Sequence, residues 1–112
     1  DHSVPQMLVM AREIKEKDIR NHPDRNRLLK VMGIEWEDPA YKIEENIPVE
    51  ECQAILMCSD GFWELITEKE MCKVLKKSTN VQEWIDTMAS IVKEHGKGKN
   101  MDNNSAIGIW MN

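Results

Sequence analysis

Residues 54–64 read AILMCSDGFWE, an unbroken apolar run that stops at an acidic residue followed by a glycine. The run 54–58 predicts a short strand that is covered on both faces. Gly61 allows the chain to turn sharply out of that strand. We therefore expect Asp60 at the rim of a sheet, which is a usual place for a metal ligand. A plain Asp-Gly turn is the other interpretation of this pattern.

A second acidic residue stands at the other end of the chain, where residues 101–109 read MDNNSAIGI. Asp102 comes just before the apolar segment 105–111, which predicts a last strand. By itself this pattern also fits an Asx-type turn that enters a strand. Two aspartates at the rim of one small sheet can, however, share a hard cation such as Mg²⁺ or Mn²⁺, which prefers oxygen ligands.

The remaining patterning predicts an α+β fold with an antiparallel sheet and covering helices. Helices are expected near 4–14, 68–77 and 81–95, and strands near 28–32, 41–45, 54–59 and 105–111. Helix starts are indicated by Ser3, by the capping box of Thr67 and Glu70, and by Asn80. Gly96 is expected to end the last helix in a left-handed conformation. We also expect Gly108 to weaken packing of the last strand.

Each predicted helix carries apolar residues at helical spacing, and these are expected to be buried. They are Met7, Leu8, Met10, Ala11 and Ile14 in the first helix, Met71, Val74 and Leu75 in the second, and Val81, Trp84, Ile85, Met88 and Val92 in the third. At this spacing an apolar stripe indicates core packing rather than a cofactor contact.

Composition restricts the class of protein. The 112 residues are 41% apolar and carry a formal charge of -5, so the chain suits one domain and has no basic field to attract nucleic acid. Three cysteines without metal-ligand spacing indicate reduced thiols and a cytoplasmic location. No apolar run approaches the roughly 20 residues needed to cross a bilayer, so no membrane partner is expected.

Four motifs occur in order along the chain: Asp1-His2-Ser3, the segment HPDRNRL at 22–28 followed by Gly33, CSDGFW at 58–63, and DNNSAI at 102–107. Together they resemble the C-terminal half of the catalytic domain of the protein phosphatase 2C family, the metal-dependent serine/threonine phosphatases. The resemblance implies half of a helix–sheet–sheet–helix sandwich. It describes residues 1–112 as a single partial domain, with a flap-like segment at 1–33 and C-terminal strands and helices at 34–112.

The resemblance also implies a site. Asp60 and Asp102 match ligands of the family's binuclear metal centre, and Asp1 matches a ligand of a third, weaker metal. His2, Gly61 and Asn103 would lie around these ligands. The implied cofactor is Mn²⁺ or Mg²⁺, and the implied reaction is hydrolysis of phosphoserine and phosphothreonine in proteins by a metal-activated water. No side chain is expected to act as a catalytic nucleophile.

Part of the family's pattern is missing from this chain. The phosphate-gripping arginine, a Glu-Asp pair and the Asp-Gly-x-Gly-Gly motif of the N-terminal half have no match. We therefore expect a cytoplasmic signalling phosphatase as the parent protein and an inactive isolated chain. Two alternatives are a non-catalytic binding or regulatory module on a degenerate phosphatase fold and a plain cation-binding domain.

The lack of the N-terminal half also leads to predictions about binding partners. A phosphorylated protein is the expected substrate of the parent. Half a sandwich leaves apolar sheet surface exposed, and such patches favour association. We therefore expect a homo-oligomer of the chain, or pairing with the missing N-terminal half.

Overall fold

The apolar run forms a strand in the computed structural model, which describes residues 2–35, 37, 41 and 43–111. This strand, β1 (Ala54–Cys58), pairs antiparallel with β2 (Ala106–Trp110). In the register of this pair, Cys58 lies opposite Ala106 and Ala54 lies opposite Trp110. The C-terminal end of β1 and the N-terminal end of β2 therefore meet at one edge of the sheet.

The two faces of this sheet differ, and the prediction that β1 is covered on both faces is wrong. Alternate residues of a strand point to opposite faces, and Ala54, Leu56 and Trp110 pack against the core. The opposite face consists of four apolar side chains that remain 40–60% exposed, namely Ile55, Met57, Ile107 and Ile109. Within residues 46–112, helices cover only one side of the two-stranded sheet.

Three helices lie between the strands in sequence. They are α2 (Asp60–Trp63), α3 (Glu68–Leu75) and α4 (Val81–His95), and they follow α1 (Val4–Met10) of the N-terminal region. The predicted starts of α3 and α4 are confirmed. Thr67 and Glu70 form the capping box of α3, and the side chain of Asn80 accepts the N–H of Glu83. These bonds satisfy amides that the first turn of a helix leaves unpaired.

Helices α2, α3 and α4 contribute to an apolar core within residues 46–112. Its buried members are Phe62, Ile66, Val74, Trp84, Met88 and Val92. The predicted stripes of α3 and α4 are thereby confirmed, since their remaining members pack around this cluster. The Trp84 ring meets the Trp110 ring edge-on at 6.3 Å between centroids, and its N–H donates to the carbonyl of Met71 at 3.2 Å. An aromatic pair in this geometry ties α4 to β2.

Gly108 strengthens the contact between α4 and β2, contrary to expectation. A Cβ at this position would lie 2.8 Å from Cδ1 of Ile85 and 3.1 Å from Cγ2 of Val81. These distances are too short for carbon atoms in contact. The absence of a side chain at Gly108 therefore lets the apolar face of α4 approach the strand.

The N-terminal region is less regular than predicted. The side chain of Ser3 accepts the N–H of Gln6 at 3.3 Å and starts α1. The helix then stops at Met10 rather than residue 14, because Arg12 adopts a left-handed conformation with φ 60°. Its apolar stripe is largely exposed: Met7 and Met10 are 57% and 77% accessible. Burial of that stripe was a wrong prediction.

Two predicted strands of this region are absent from the described residues. Instead of a strand at 28–32, a single antiparallel bridge joins Ser3 to Leu28. The described part of 41–45, which is 41 and 43–45, has no regular structure. Alternation of apolar and polar residues shows how a strand would face a core, but a strand forms only where its backbone groups find a partner.

Two compact units make up the chain, residues 1–45 and residues 46–112. The predicted partial domain, with its division into 1–33 and 34–112, stays a prediction. Within the described residues, no helix combines the length and the apolar character needed to cross a membrane. Cys52, Cys58 and Cys72 form no disulfide.

Candidate metal site

Two serines extend the pairing of β1 with β2 toward the candidate site. The N–H of Ser59 donates to the carbonyl of Ser105 at 2.9 Å. In return, the N–H of Ser105 donates to the Ser59 hydroxyl at 3.0 Å. This second bond uses a side chain, so the backbones begin to separate here. Asp60 follows directly as the first residue of α2.

Gly61 brings the loop of Asp102 against the start of α2. A Cβ on Gly61 would overlap the carbonyl oxygen of Asn103 and would lie 3.3 Å from Cβ of Asp102. Gly61 is itself buried. The backbone next to Asp60 is therefore in direct contact with the backbone next to Asp102, although 42 positions separate the two aspartates.

The two carboxylates have matching local hydrogen bonds. Oδ1 of Asp60 accepts the N–H of Gly61 at 2.9 Å, and Oδ1 of Asp102 accepts the N–H of Asn103 at 2.8 Å. Both residues are exposed. No described residue donates a hydrogen bond to the Oδ2 atom of either aspartate. One oxygen of each carboxylate is thus held by the backbone, and the other is available to a ligand.

This donor set suits a hard cation. Mg²⁺ and Mn²⁺ bind carboxylate oxygens in preference to nitrogen or sulfur, and Asp60 and Asp102 each keep an exposed carboxylate oxygen that no described residue bonds. In the part of the chain that the structure describes, no group of three or more His, Cys, Asp or Glu side chains is arranged to hold a metal. Asp60 and Asp102 would thus need further ligands to hold such an ion, and their role as metal ligands stays a prediction.

The other predicted site residues lie in different parts of the chain and differ in what the structure describes of them. Asp1, the third predicted ligand, lies outside the described residues. His2 is exposed, and its carbonyl accepts the N–H of Leu29 at 2.7 Å. Gly61 and Asn103 lie beside the aspartates, where they act through their backbones rather than through side chains.

The sequence patterns did not predict a contact made by Met101, the residue directly before Asp102. Gly96 has φ -83°, so the left-handed conformation predicted for it is wrong. Its lack of a side chain serves another purpose: a Cβ there would overlap Sδ of Met101 and lie 2.6 Å from Cγ and Cε. Met101 also packs against the core. The only local signal was an apolar residue within the polar loop 97–104.

Comparisons with known proteins show what the whole chain is similar to. No family model matches the chain. The serine/threonine phosphatase stp of Listeria monocytogenes serotype 4b (strain F2365) is 31% identical over 104 residues, which is 90% of this chain and 39% of that protein. The protein of the same name from Listeria innocua serovar 6a matches equally well. The chain thus spans about two-fifths of the length of these curated relatives.

The solved structures add evidence on the fold. A bacterial serine phosphatase crystal structure superimposes with a TM-score of 0.75 at 22% identity, covering 100% of this chain and 43% of that one. The α+β fold class, as part of a phosphatase fold, is confirmed. The predicted resemblance to a serine/threonine phosphatase is likewise confirmed, for a stretch equivalent to about two-fifths of such a protein.

Proposed function

We propose that this chain is the C-terminal part of a metal-dependent phosphoprotein phosphatase, in which Asp60 and Asp102 hold Mn²⁺ or Mg²⁺. The observation that carries the proposal is the contact of Gly61 with Asn103 and Asp102. It joins the backbones beside two aspartates that lie far apart in sequence, in a chain 31% identical to part of a serine/threonine phosphatase. Asp1 is proposed as a further ligand on the basis of the sequence motif alone.

The residues of the chain have separate tasks in this proposal. Asp60 and Asp102 present Oδ2, while the N–H groups of Gly61 and Asn103 hold Oδ1 and orient each carboxylate. A divalent cation held there would make a bound water more acidic. It would also offset the negative charge on the phosphoryl oxygens of phosphoserine or phosphothreonine. The ligands of the family's N-terminal half are missing, so the isolated chain should not turn over substrate.

Partners and location are also part of the proposal. The substrate is a phosphorylated protein, and the parent enzyme acts in cytoplasmic signalling. The exposed apolar face of Ile55, Met57, Ile107 and Ile109 supports association, either between copies of the chain or with the missing half.

Calorimetric titration of the 112-residue chain with MnCl₂ tests the metal site. We expect Asp60→Asn and Asp102→Asn each to weaken Mn²⁺ binding by more than about tenfold. Asp86→Asn is the matched control, because Asp86 is an exposed aspartate on α4 whose carboxylate accepts only the side-chain amide of Gln82 among the described residues. It should leave the affinity unchanged.

Two outcomes would contradict the proposal. One is equal Mn²⁺ affinity in the chain and in both site variants. The other is steady hydrolysis of a phosphoserine peptide by the isolated chain, which would show that the chain does not need the ligands of the N-terminal half. Metal-independent binding of the same peptide, together with the first outcome, would favour a non-catalytic binding module.

A further inference from the structure

We propose that Met101, seated against Gly96, sets the position of the Asp102 carboxylate, so that Gly96 is a positioning residue of the candidate metal site. The expected effect on metal binding rests on the proposed function. The positioning of Asp102 rests on the contact between Gly96 and Met101. The inference concerns Met101, the residue that directly precedes Asp102.

Met101 is the residue directly before Asp102, and its side chain is fixed from two directions. It lies against the backbone of Gly96, where a Cβ would overlap its sulfur and lie 2.6 Å from Cγ and Cε. It is also half-buried against the core. Gly96 is the C-cap of α4 and is itself buried. A helix end that packs on the core therefore anchors the loop residue next to Asp102.

Asn103, on the other side of Asp102, is fixed by the second glycine. Its carbonyl oxygen lies against Gly61, and its N–H donates to Oδ1 of Asp102. Asp102 is thus exposed but bracketed by two neighbours that are each packed against a glycine. An exposed carboxylate on a loop gains a defined position in this way without being buried itself, and a metal site requires such support for its ligands.

Other features of the loop support a specific role for Gly96. Gly98 stands two residues further on with φ 73°, and a Cβ at Gly98 would meet nothing within 4 Å. Gly98 thus supplies a turn, whereas Gly96 supplies space for Met101. This difference provides a matched control, since both glycines belong to the connection between α4 and β2.

The first test needs no metal. We expect Gly96→Ala to shift the amide NMR resonance of Asn103, whose N–H bonds to the Asp102 carboxylate, and that of Gly61, which lies against the Asn103 carbonyl. Gly98→Ala should leave both resonances in place although it strains the backbone. Unchanged resonances of Gly61 and Asn103 in Gly96→Ala would overturn the inference, whether or not the chain binds a cation.

The second test is a double-mutant cycle read by Mn²⁺ affinity. Gly96→Ala should weaken Mn²⁺ binding by about tenfold in the natural chain. In a Met101→Ala background the same change should have little effect, because the side chain that it displaces is gone. An equal loss in both backgrounds would show that Gly96 acts independently of Met101 and would overturn the inference. Failure of the natural chain to bind Mn²⁺ would contradict the proposed function but leave the first test to judge the positioning.

Discussion

The carbonyl oxygen of Asn103 occupies the place where a side chain on Gly61 would begin. This backbone contact joins the start of α2 to the loop before β2, and each aspartate of the candidate site directly precedes one of the two residues in contact. The Asp-Gly sequence at 60–61 is therefore more than a turn signal. Its glycine satisfies a steric condition for bringing Asp102 close to Asp60.

Gly61→Ala should destabilise the chain by about 1–3 kcal/mol, because the overlapping atom belongs to the backbone and cannot rotate away. The sign of this change in the free energy of unfolding is informative, because in a helix without such a contact alanine is favoured over glycine by about 1 kcal/mol. Urea unfolding monitored by tryptophan fluorescence measures the difference. The same loss should appear in an Asn103→Ala background, which retains the carbonyl. A stabilising Gly61→Ala would contradict the close approach.

Gly108→Ala should also destabilise the chain, by about 1–3 kcal/mol, through overpacking of β2 against α4. Here the obstructing atoms are side-chain tips, Cδ1 and Cγ1 of Ile85 at 2.8 and 2.9 Å. The loss caused by Gly108→Ala should therefore shrink when Ile85→Ala removes those atoms. Thermal unfolding of the natural chain, the two single variants and the double variant gives the interaction free energy between Gly108 and Ile85. Strictly additive losses of stability would show that the contact is not tight.

Local signals in the sequence predicted most of the C-terminal unit. The apolar run of β1, the capping residues Thr67 and Asn80, and the stripe of α4 each identify an element from neighbouring residues alone. The edge shared by Asp60 and Asp102 followed from assuming that two strands pair antiparallel. The close approach at Gly61 could not be predicted, because it depends on the path of the whole loop before β2.

The errors have a common cause in contacts between distant residues. A strand at 28–32 needs a continuous partner, and the chain provides only the bridge at Ser3. Gly96 has the position of a helix stop, yet the reason for glycine there is Met101, a contact that capping rules do not include. Propensity and patterning describe one element at a time, and tertiary contacts determine the rest.

Arg12→Gly should stabilise the end of α1 by about 1 kcal/mol. The N–H of Arg12 bonds to the carbonyl of Val9 and that of Glu13 bonds to Leu8, both at 2.9 Å. This is the Schellman arrangement, which usually has glycine at the residue with positive φ. Slower amide hydrogen exchange in Val9 to Glu13 is the expected result. Arg12→Ala, which keeps the Cβ, is the control and should bring no such protection.

Glu83 should add an acid-sensitive contribution to stability. The N–H of Thr79 donates to Oε2 of Glu83 at 2.7 Å, and the Thr79 hydroxyl donates to the same oxygen at 2.8 Å. These bonds lower the pKa of the Glu83 carboxyl below its ordinary value. A lowered pKa in the folded state means stabilisation that is present above the ordinary pKa and disappears as pH falls through the lowered one.

Melting temperatures of the natural chain and Glu83→Gln should therefore differ at neutral pH and converge in acid. Thr79→Ala removes the hydroxyl but keeps the N–H, so it should raise the pKa of Glu83 only part of the way back. A carbon NMR titration of the carboxyl measures this directly. A difference in melting temperature that is independent of pH would contradict the assignment.

Paramagnetic broadening by Mn²⁺ tests most directly whether Asp60 and Asp102 bind one cation together. The amides of Gly61 and Asn103 each bond to one of the two carboxylates, so a shared ion should broaden both resonances over the same range of Mn²⁺ concentration. Asp60→Asn should then remove the broadening at Asn103 as well as at Gly61. Broadening at Asn103 that survives Asp60→Asn, or broadening at only one of the two amides in the natural chain, would contradict a shared site.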